Sequence, residues 1–351
     1  MRVFVYEYAS GGGLALRGVP ASLAREGAAM RAALVADLSA LGHQIVTTAD
    51  ARRRPDLPPG VEIVDLPADD RARNRVLDRA IRAVDAVWLI APETDRCLER
   101  LAARVERQHR TLLGPGADAI RHASDKARLP RRLAALGLRH PTTRTLGRGV
   151  DPARVAEAIG YPIVLKPARG AGSHGVRVAA RPGELRQAAA PARRATRDGR
   201  VIMQEHVRGA AASVSLLADG RGGTVALAVN SQTLGSSFSY RGGRTPFDHP
   251  LAPRAAAAAL AVCQSLEGLR GYVGVDVIVT DTDVVVIEVN PRVTTAYLGI
   301  RAAVDGNVAA LALSACAGRL PSAPLVSRRV HFSSAGRILC RETARAERGA
   351  A

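Results

Sequence analysis

The sequence predicts a mixed α/β chain that opens on a parallel sheet and continues as an α+β part. Three observations carry this. Up to about residue 115, short runs such as "RVFVYEY" and "AVWLIAP" alternate with helical stretches and are apolar throughout, as strands buried on both faces require. Beyond that point, strands come in pairs joined by glycines or a tight turn, with no helix between them. The chain has 351 residues, 47 % of them hydrophobic, which is more than one compact core usually serves, so two or three subdomains are expected. Aromatic residues make up only 3 %, so the cores must be built from Val, Leu, Ile and Ala.

Taken in order, "RVFVYEY" is a strand and "SGGG" at residues 10–13 a tight turn. "SLAREGAAMRAALVADLSALG" is a helix, with Ser22 as its N-cap. "QIVTT" is a second strand, "RVLDRAIRAVD" a helix, "AVWLIAP" a buried strand, "DRCLERLAARVERQ" a helix and "TLLG" a short strand. "GPGADAIRHASDKARLPRRLAALGL" reads as a helical connection. "YPIVLKPA" and "VRVAA" are strands joined by a glycine loop, followed by a helix near residues 183–195 and the strand "VIMQEHV". "ASVSLLAD", "GTVALAVN" and "TLGSSFSY" look antiparallel. The helix "APRAAAAALAVCQSLEGL" precedes two long strands, "GYVGVDVIVT" and "DVVVIEVNPR", around the turn "DTD". The tail "RETARAERGA" is expected to be disordered.

The formal net charge of +18 admits an anionic macromolecular partner, or an anionic small-molecule substrate in an arginine-rich chain. The second reading is preferred. The arginines are spread over many helix faces, as in "RARNRVLDRAIRA", and no aromatic-interleaved stripe or nucleic-acid motif occurs. Cys97, Cys263, Cys316 and Cys340 are far apart, with neither metal nor redox spacing. The opening "MRVFVYEYAS" reads as a strand rather than a signal peptide, and no run approaches ~18 apolar residues, so a cytoplasmic protein with no membrane contact is expected.

Of the 50 basic residues only two, Lys126 and Lys166, are lysine. A guanidinium can replace an ammonium at most surface sites, but it fits poorly where a compact head must enter between phosphates. Lys166 directly precedes "PARGAGSHG", where Gly170, Gly172 and Gly175 let backbone amides approach an anion and Ser173 offers a hydroxyl. The loop lacks the Gly-Lys-Ser/Thr and the following helix of a P-loop, and a flexible hairpin would explain its glycines equally well. In the last strand pair, Glu288 and Asn290 are two apart and share one face, and pairing around "DTD" brings Asp276 close to it. Three hard oxygen ligands there suit Mg²⁺ held jointly with substrate phosphates, where the alternative is a solvated acidic face. Arg292 follows, with a fork suited to a phosphoryl or carboxylate oxygen. His174, His206 and His249 are read as structural.

Lys126, "YPIVLKPARGAGSHGV", "VIMQEHVRG" and "GVDVIVT…VVVIEVNPR" together resemble the ATP-grasp superfamily, over roughly residues 115–300. The resemblance implies an ATP-grasp fold behind a Rossmann-like parallel-sheet domain. Its divisions would be residues 1–115, a central lobe 116–205, a C-terminal lobe 206–325 and an extension 326–351. It implies an enzyme that joins a carboxylate to an amine through an acyl phosphate, releasing ADP. Lys126, Lys166, Gly170, Gly172, Ser173 and Gly175 would serve the phosphates of ATP, and Glu205 and Val207 the adenine. Asp276, Glu288 and Asn290 would hold Mg²⁺ or Mn²⁺, and Arg292, with Lys166, would act on the transferring phosphoryl group. Related enzymes often place a ribose-binding Glu shortly after "EHVRG"; here Ala211 stands at that place.

"VFVYEYASGGG", "LIAPET" and "YRGGRTPFDHP" look like the tyramine–glutamate ligase subgroup, which makes the γ-glutamyl amide of methanofuran-type cofactors. The substrates implied are glutamate and an aromatic amine or amino acid, tyramine or tyrosine, with no specific nucleic acid; a homodimer is compatible with the resemblance. Glu7, Ser10 and Glu93, at strand ends, are candidate substrate ligands, with Glu7 also open to capping the glycine turn. Arg241, Gly242, Gly243 and Arg244 would form a substrate loop beside the phosphates. Two alternatives stay open: another ATP-grasp ligase of amino-acid, dipeptide or carbamate type, and a basic polyanion-binding protein on an inactive scaffold of the same fold.

Overall fold

The computed structural model describes residues 1–14, 21–50, 55–147, 149–322 and 326–343. The first sheet is parallel throughout. Its strands are β1 (Arg2–Glu7), β2 (Gln44–Asp50), β3 (Glu62–Leu66), β4 (Ala86–Ile90) and β5 (Thr111–Leu112), in the order β3-β2-β1-β4-β5. Helices α1 (Ala21–Ala40), α2 (Asp70–Arg82) and α3 (Cys97–Arg107) make the crossovers. Core residues pack against both faces: Val3, Val5, Leu34 and Leu38 on one, Phe4, Tyr6, Leu77 and Leu98 on the other. That two-sided burial is why β1 and β4 read as unbroken apolar runs. Helix α1 already includes Ala21, so Ser22 lies inside its first turn and is not the N-cap. At α2 the expected chemistry does occur: the Asp69 carboxylate accepts the Ala72 amide at 2.7 Å.

The helical connection is two short helices, α4 (Ala117–Ala123) and α5 (Leu129–Ala135). Lys126 sits in the break between them. A four-stranded sheet follows, β6-β9-β7-β8, from β6 (Thr143–Leu146), β7 (Ile163–Pro167), β8 (Arg177–Ala179) and β9 (Val201–Glu205), all pairs antiparallel. Helices α6 (Pro152–Ile159) and α7 (Leu185–Arg194) pack on it. Strands β7 and β8 pair across the glycine loop as expected.

The third sheet has seven strands: β10 (Ala210–Asp219), β11 (Thr224–Leu234), β12 (Tyr240–Thr245), β13 (Arg270–Val279), β14 (Val284–Asn290), β15 (Arg328–Ser333) and β16 (Ile338–Thr343). Their order is β14-β13-β10-β11-β12-β15-β16, every pair antiparallel. "TLGSSFSY" is not one strand: β11 ends at Leu234, a short turn covers Ser236–Phe238, and β12 begins at Tyr240. "YRGGRT" is therefore a strand inside the sheet rather than a free loop. Helix α8 (Ala252–Gln264) covers one face, and α9 (Tyr297–Ala303) and α10 (Val308–Cys316) the other, where they also meet α1. Residues 328–343 form β15 and β16, while the tail beyond Thr343 lies outside the described residues. The four cysteines are free thiols, two of them buried. Among the described residues no helix is long and apolar enough to cross a membrane.

Candidate active site

The register of β13 and β14 places Asp276 directly opposite Glu288, and Gly274 opposite Asn290. Both carboxylates lie on the face turned toward the four-stranded sheet and the glycine loop, on a wall shared by two adjoining cavities of about 190 and 160 Å³. Asp276 accepts hydrogen bonds from Gln232 Nε2 at 2.8 Å and Asn290 Nδ2 at 3.0 Å. Burial, then the neighbouring Glu288 charge, pushes the Asp276 carboxyl up to about 7. Burial would also raise Glu288, but the Lys126 and Lys166 ammonium groups hold it below the usual range. Two partly buried carboxylates face to face on one cavity wall make a donor pair that suits a divalent cation. The donor set fits Mg²⁺ or Mn²⁺: two carboxylates and the Asn290 amide oxygen, which its donation to Asp276 leaves free.

The larger cavity lies between β7, the glycine loop, the β9–β10 hinge and the β13–β14 pair. Lys126 Nζ donates to the Gly170 carbonyl at 2.9 Å and is 3.3 Å from Glu288 Oε2. Lys166 projects from β7, is buried, and has no hydrogen-bond acceptor among the described residues. Burial pushes its ammonium down to about 8, against the pull of Glu288. Such a cation is matched to an anion that is to arrive. Val164, Val207, Ala211, Ile278 and Ile287 form apolar walls suited to a flat base. Glu205 and Val207 line this cavity, and the Glu205 carboxylate accepts the Thr142 amide at 3.1 Å. Ala211 on the wall confirms that no acidic side chain stands at that place.

The loop itself roofs both cavities at Gly172 and Ser173, which have positive φ of 64° and 57°. Ser173 Oγ donates to the Phe238 carbonyl at 2.8 Å, so its hydroxyl holds the loop to the β11–β12 turn. Gly175 lines neither cavity. Its missing Cβ, which would lie 2.6 Å from Ala195 Cβ, lets the loop pack on the residue that ends α7. At the loop base Arg169 bridges Asp125 at 3.1 Å and Glu99 at 3.4 Å, tying the loop to the α4–α5 break and to α3.

The second cavity opens toward β1 and α1, with Arg292 and Asn290 on its wall. Arg292 and Glu93 form a two-pronged buried pair, at 2.8 and 3.1 Å. Glu93 is thus the partner of Arg292 and lines neither cavity. Glu7 lines the cavity, yet its carboxylate accepts the Ala9 and Ser10 amides at 2.7 and 2.6 Å together with the Ser10 hydroxyl. It caps the glycine turn, and Ser10 serves that cap. Arg241 and Arg244 are exposed and line neither cavity; Arg244 pairs with Ser231, one residue out of step with the inward-facing Gln232. Gly242 and Gly243 serve the sheet. A Cβ on them would lie 2.0 Å from the Phe332 carbonyl oxygen and 2.1 Å from that of Ser231.

His174 and His206, read as structural, lie on the wall of the larger cavity, while Gln232, Thr295 and Glu26 line the cavities without having drawn attention in the sequence. Each sits in an unremarkable local context, and only pairing of distant segments brings it to the site. Among the described residues no cluster of three His, Cys, Asp or Glu side chains forms a metal site of another kind.

Comparison with known proteins adds the family. A model described as "ATP-grasp domain" matches residues 123–296, and one described as "pre ATP-grasp 3 domain" matches residues 43–120. The tyramine–L-glutamate ligase of Methanocaldococcus fervens is 36 % identical over 104 residues, 30 % of this chain and 34 % of the relative. The match thus spans about a third of that relative's length. The carbamoyl phosphate synthase large chain of Haemophilus ducreyi is 24 % identical over 63 % of this chain and 21 % of its own. The crystal structure of an ATP-grasp superfamily protein from Archaeoglobus fulgidus superposes with a TM-score of 0.68 at 24 % identity, covering 95 % of this chain and 92 % of that one.

Proposed function

This chain has the ATP-grasp fold, with a pre-ATP-grasp domain ahead of its ATP-grasp domain, and on that premise we propose that it is an ADP-forming carboxylate–amine ligase. The substrate pair proposed is L-glutamate and tyramine or tyrosine, joined as a γ-glutamyl amide in the making of a methanofuran-type cofactor. One observation carries the reading: a lysine-lined, apolar-walled cavity and a second cavity share the wall that bears Asp276 and Glu288. ATP in the first would direct its terminal phosphate at a carboxylate in the second.

The residues divide the work. Lys126 and Lys166 neutralise phosphate oxygens, and the amides of residues 170–173 close over them. Asp276, Glu288 and Asn290 would hold Mg²⁺, which would supply charge neutralisation at the phosphates. Arg292, oriented by Glu93, steadies the acid or the phosphoryl group moving to it. No side-chain nucleophile is needed, because the substrate carboxylate attacks. The 36 % match to a tyramine–L-glutamate ligase supports the substrate pair. The longer, weaker match to carbamoyl phosphate synthase favours, as a second reading, a carbamate-type substrate in the same site.

The test is ADP release by the purified chain with ATP, Mg²⁺ and L-glutamate, with and without tyramine or tyrosine, and mass analysis of the product. Amine-dependent ADP release with a γ-glutamyl amide is expected. ADP release driven by bicarbonate or carbamate instead of glutamate would favour the second reading. ATP binding without turnover on any acid would overturn both.

A further inference from the structure

Making an amide from an alkylamine requires a proton acceptor. The amine arrives as an ammonium with a pKa of about 10, and only its free base attacks. Four carboxylates among the described residues line the second cavity: Glu7, Glu26, Asp276 and Glu288. Three are engaged. Glu7 takes the bonds of the glycine turn, Asp276 those of Gln232 and Asn290, and Glu288 faces Lys126. Among the described residues Glu26, on α1, accepts a single hydrogen bond, from Thr295 Oγ1 at 3.3 Å. Among the described residues no lysine or arginine lies within ion-pair distance of it. Burial raises its carboxyl, and Thr295, Arg292 and Arg25 offset that only in part. Tyr240 feels the charges of both Asp276 and Glu26, which, after burial, push its phenol further up. Glu26 thus shares one cavity with Asp276 and Glu288.

We propose that Glu26 binds the ammonium group of the acceptor amine and takes its proton ahead of attack on the acyl phosphate. The assignment rests on the ligase reading above. One N–H proton passes to a Glu26 carboxylate oxygen, and the freed lone pair forms the C–N bond at the activated carbonyl. The C–O bond to the phosphoryl group breaks, and its electron pair leaves on inorganic phosphate. The second N–H proton goes to the departing phosphate.

The experiment uses the full chain with ATP, Mg²⁺ and L-glutamate, and either tyramine or hydroxylamine as nucleophile. Hydroxylamine is uncharged near neutral pH and needs no ammonium site, so its hydroxamate reports acyl-phosphate formation alone. Glu26→Gln is expected to lower kcat/KM for tyramine about 100-fold or more, while hydroxamate formation stays close to the wild-type rate. Glu26→Asp is expected to recover part of the tyramine reaction. Equal loss of both products in Glu26→Gln would overturn the proposal, because Glu26 would then serve the acid or the fold. Wild-type tyramine kinetics in Glu26→Gln would overturn it too. A wild-type protein that forms neither product would overturn the ligase reading itself, and this assignment with it.

Discussion

Lys166 shows how a single residue can be read from composition and then explained by burial. In a chain with 50 basic residues and two lysines, a retained lysine asks for a reason. The structure supplies one: the side chain is buried in β7 beside Asp276 and Glu288 and reaches the cavity, where a planar fork is a poor replacement for a compact ammonium head. Lys166→Arg is therefore expected to lose on the order of 100-fold in kcat despite keeping its charge, and near-normal turnover would sink this account. Burial pushes the same ammonium down to about 8, so it loses its charge as pH rises through that value. Nucleotide affinity, measured by titration calorimetry, is expected to be full below pH 8 and to fall above it. Flat affinity across that range would mean that the Lys166 charge does not contact the phosphates. Lys126, Lys166, Asp276, Glu288 and Asn290 were all legible in the sequence because each sits in a motif a few residues long. Gln232 and Glu26 were not, since nothing near them in the chain marks them.

At the scale of the element, "YRGGRT" is the instructive case. Two glycines between two arginines read as a substrate loop beside the phosphates, yet the segment is β12, between β11 and β15. The glycines are needed because neighbouring backbone lies where a Cβ would be, and Gly242 has φ +145°. Gly242→Ala is expected to cost more than about 2 kcal/mol of stability by chemical denaturation, through strain and the clash with Phe332. An unchanged midpoint would mean that β12 is not held as described. Local pattern could not separate the two readings, because glycine permits both a loop and a close strand approach. By contrast, β1, β4, β13 and β14 were legible from apolar runs alone, since each is buried over most of its length.

At the scale of the whole molecule, the first sheet's helices are tied to the last part of the chain. Asp37 on α1 accepts the Tyr297 hydroxyl at 2.6 Å and the Arg301 guanidinium at 2.6 Å, while Asn307 Nδ2 reaches the Asp37 carbonyl at 2.8 Å. This junction holds α1, and with it Glu26, against the part of the chain that bears the acidic pair. Asp37→Ala would leave the buried Tyr297 hydroxyl and the partly exposed Arg301 guanidinium without their partner, and is expected to cost about 2 kcal/mol. The loss should appear as a lowered denaturation midpoint with a raised KM for the amine. A midpoint unchanged from wild type would show that the junction is not what docks α1.

The sequence by itself determined the class of sheet in each part of the chain, the glycine loop and the cluster of lysines, carboxylates and amide around it. These follow from short-range pattern: burial writes itself into apolar runs, and anion chemistry into a few adjacent residue types. Only the tertiary structure decided that Glu93 belongs to Arg292, that Glu7 and Ser10 cap a turn, that Arg241 and Arg244 point away, and that Glu26 faces the second cavity. Those partners lie far apart in the chain or depend on which face of a strand meets the cavity. A bulge or a one-residue shift of register reverses that face without changing local composition.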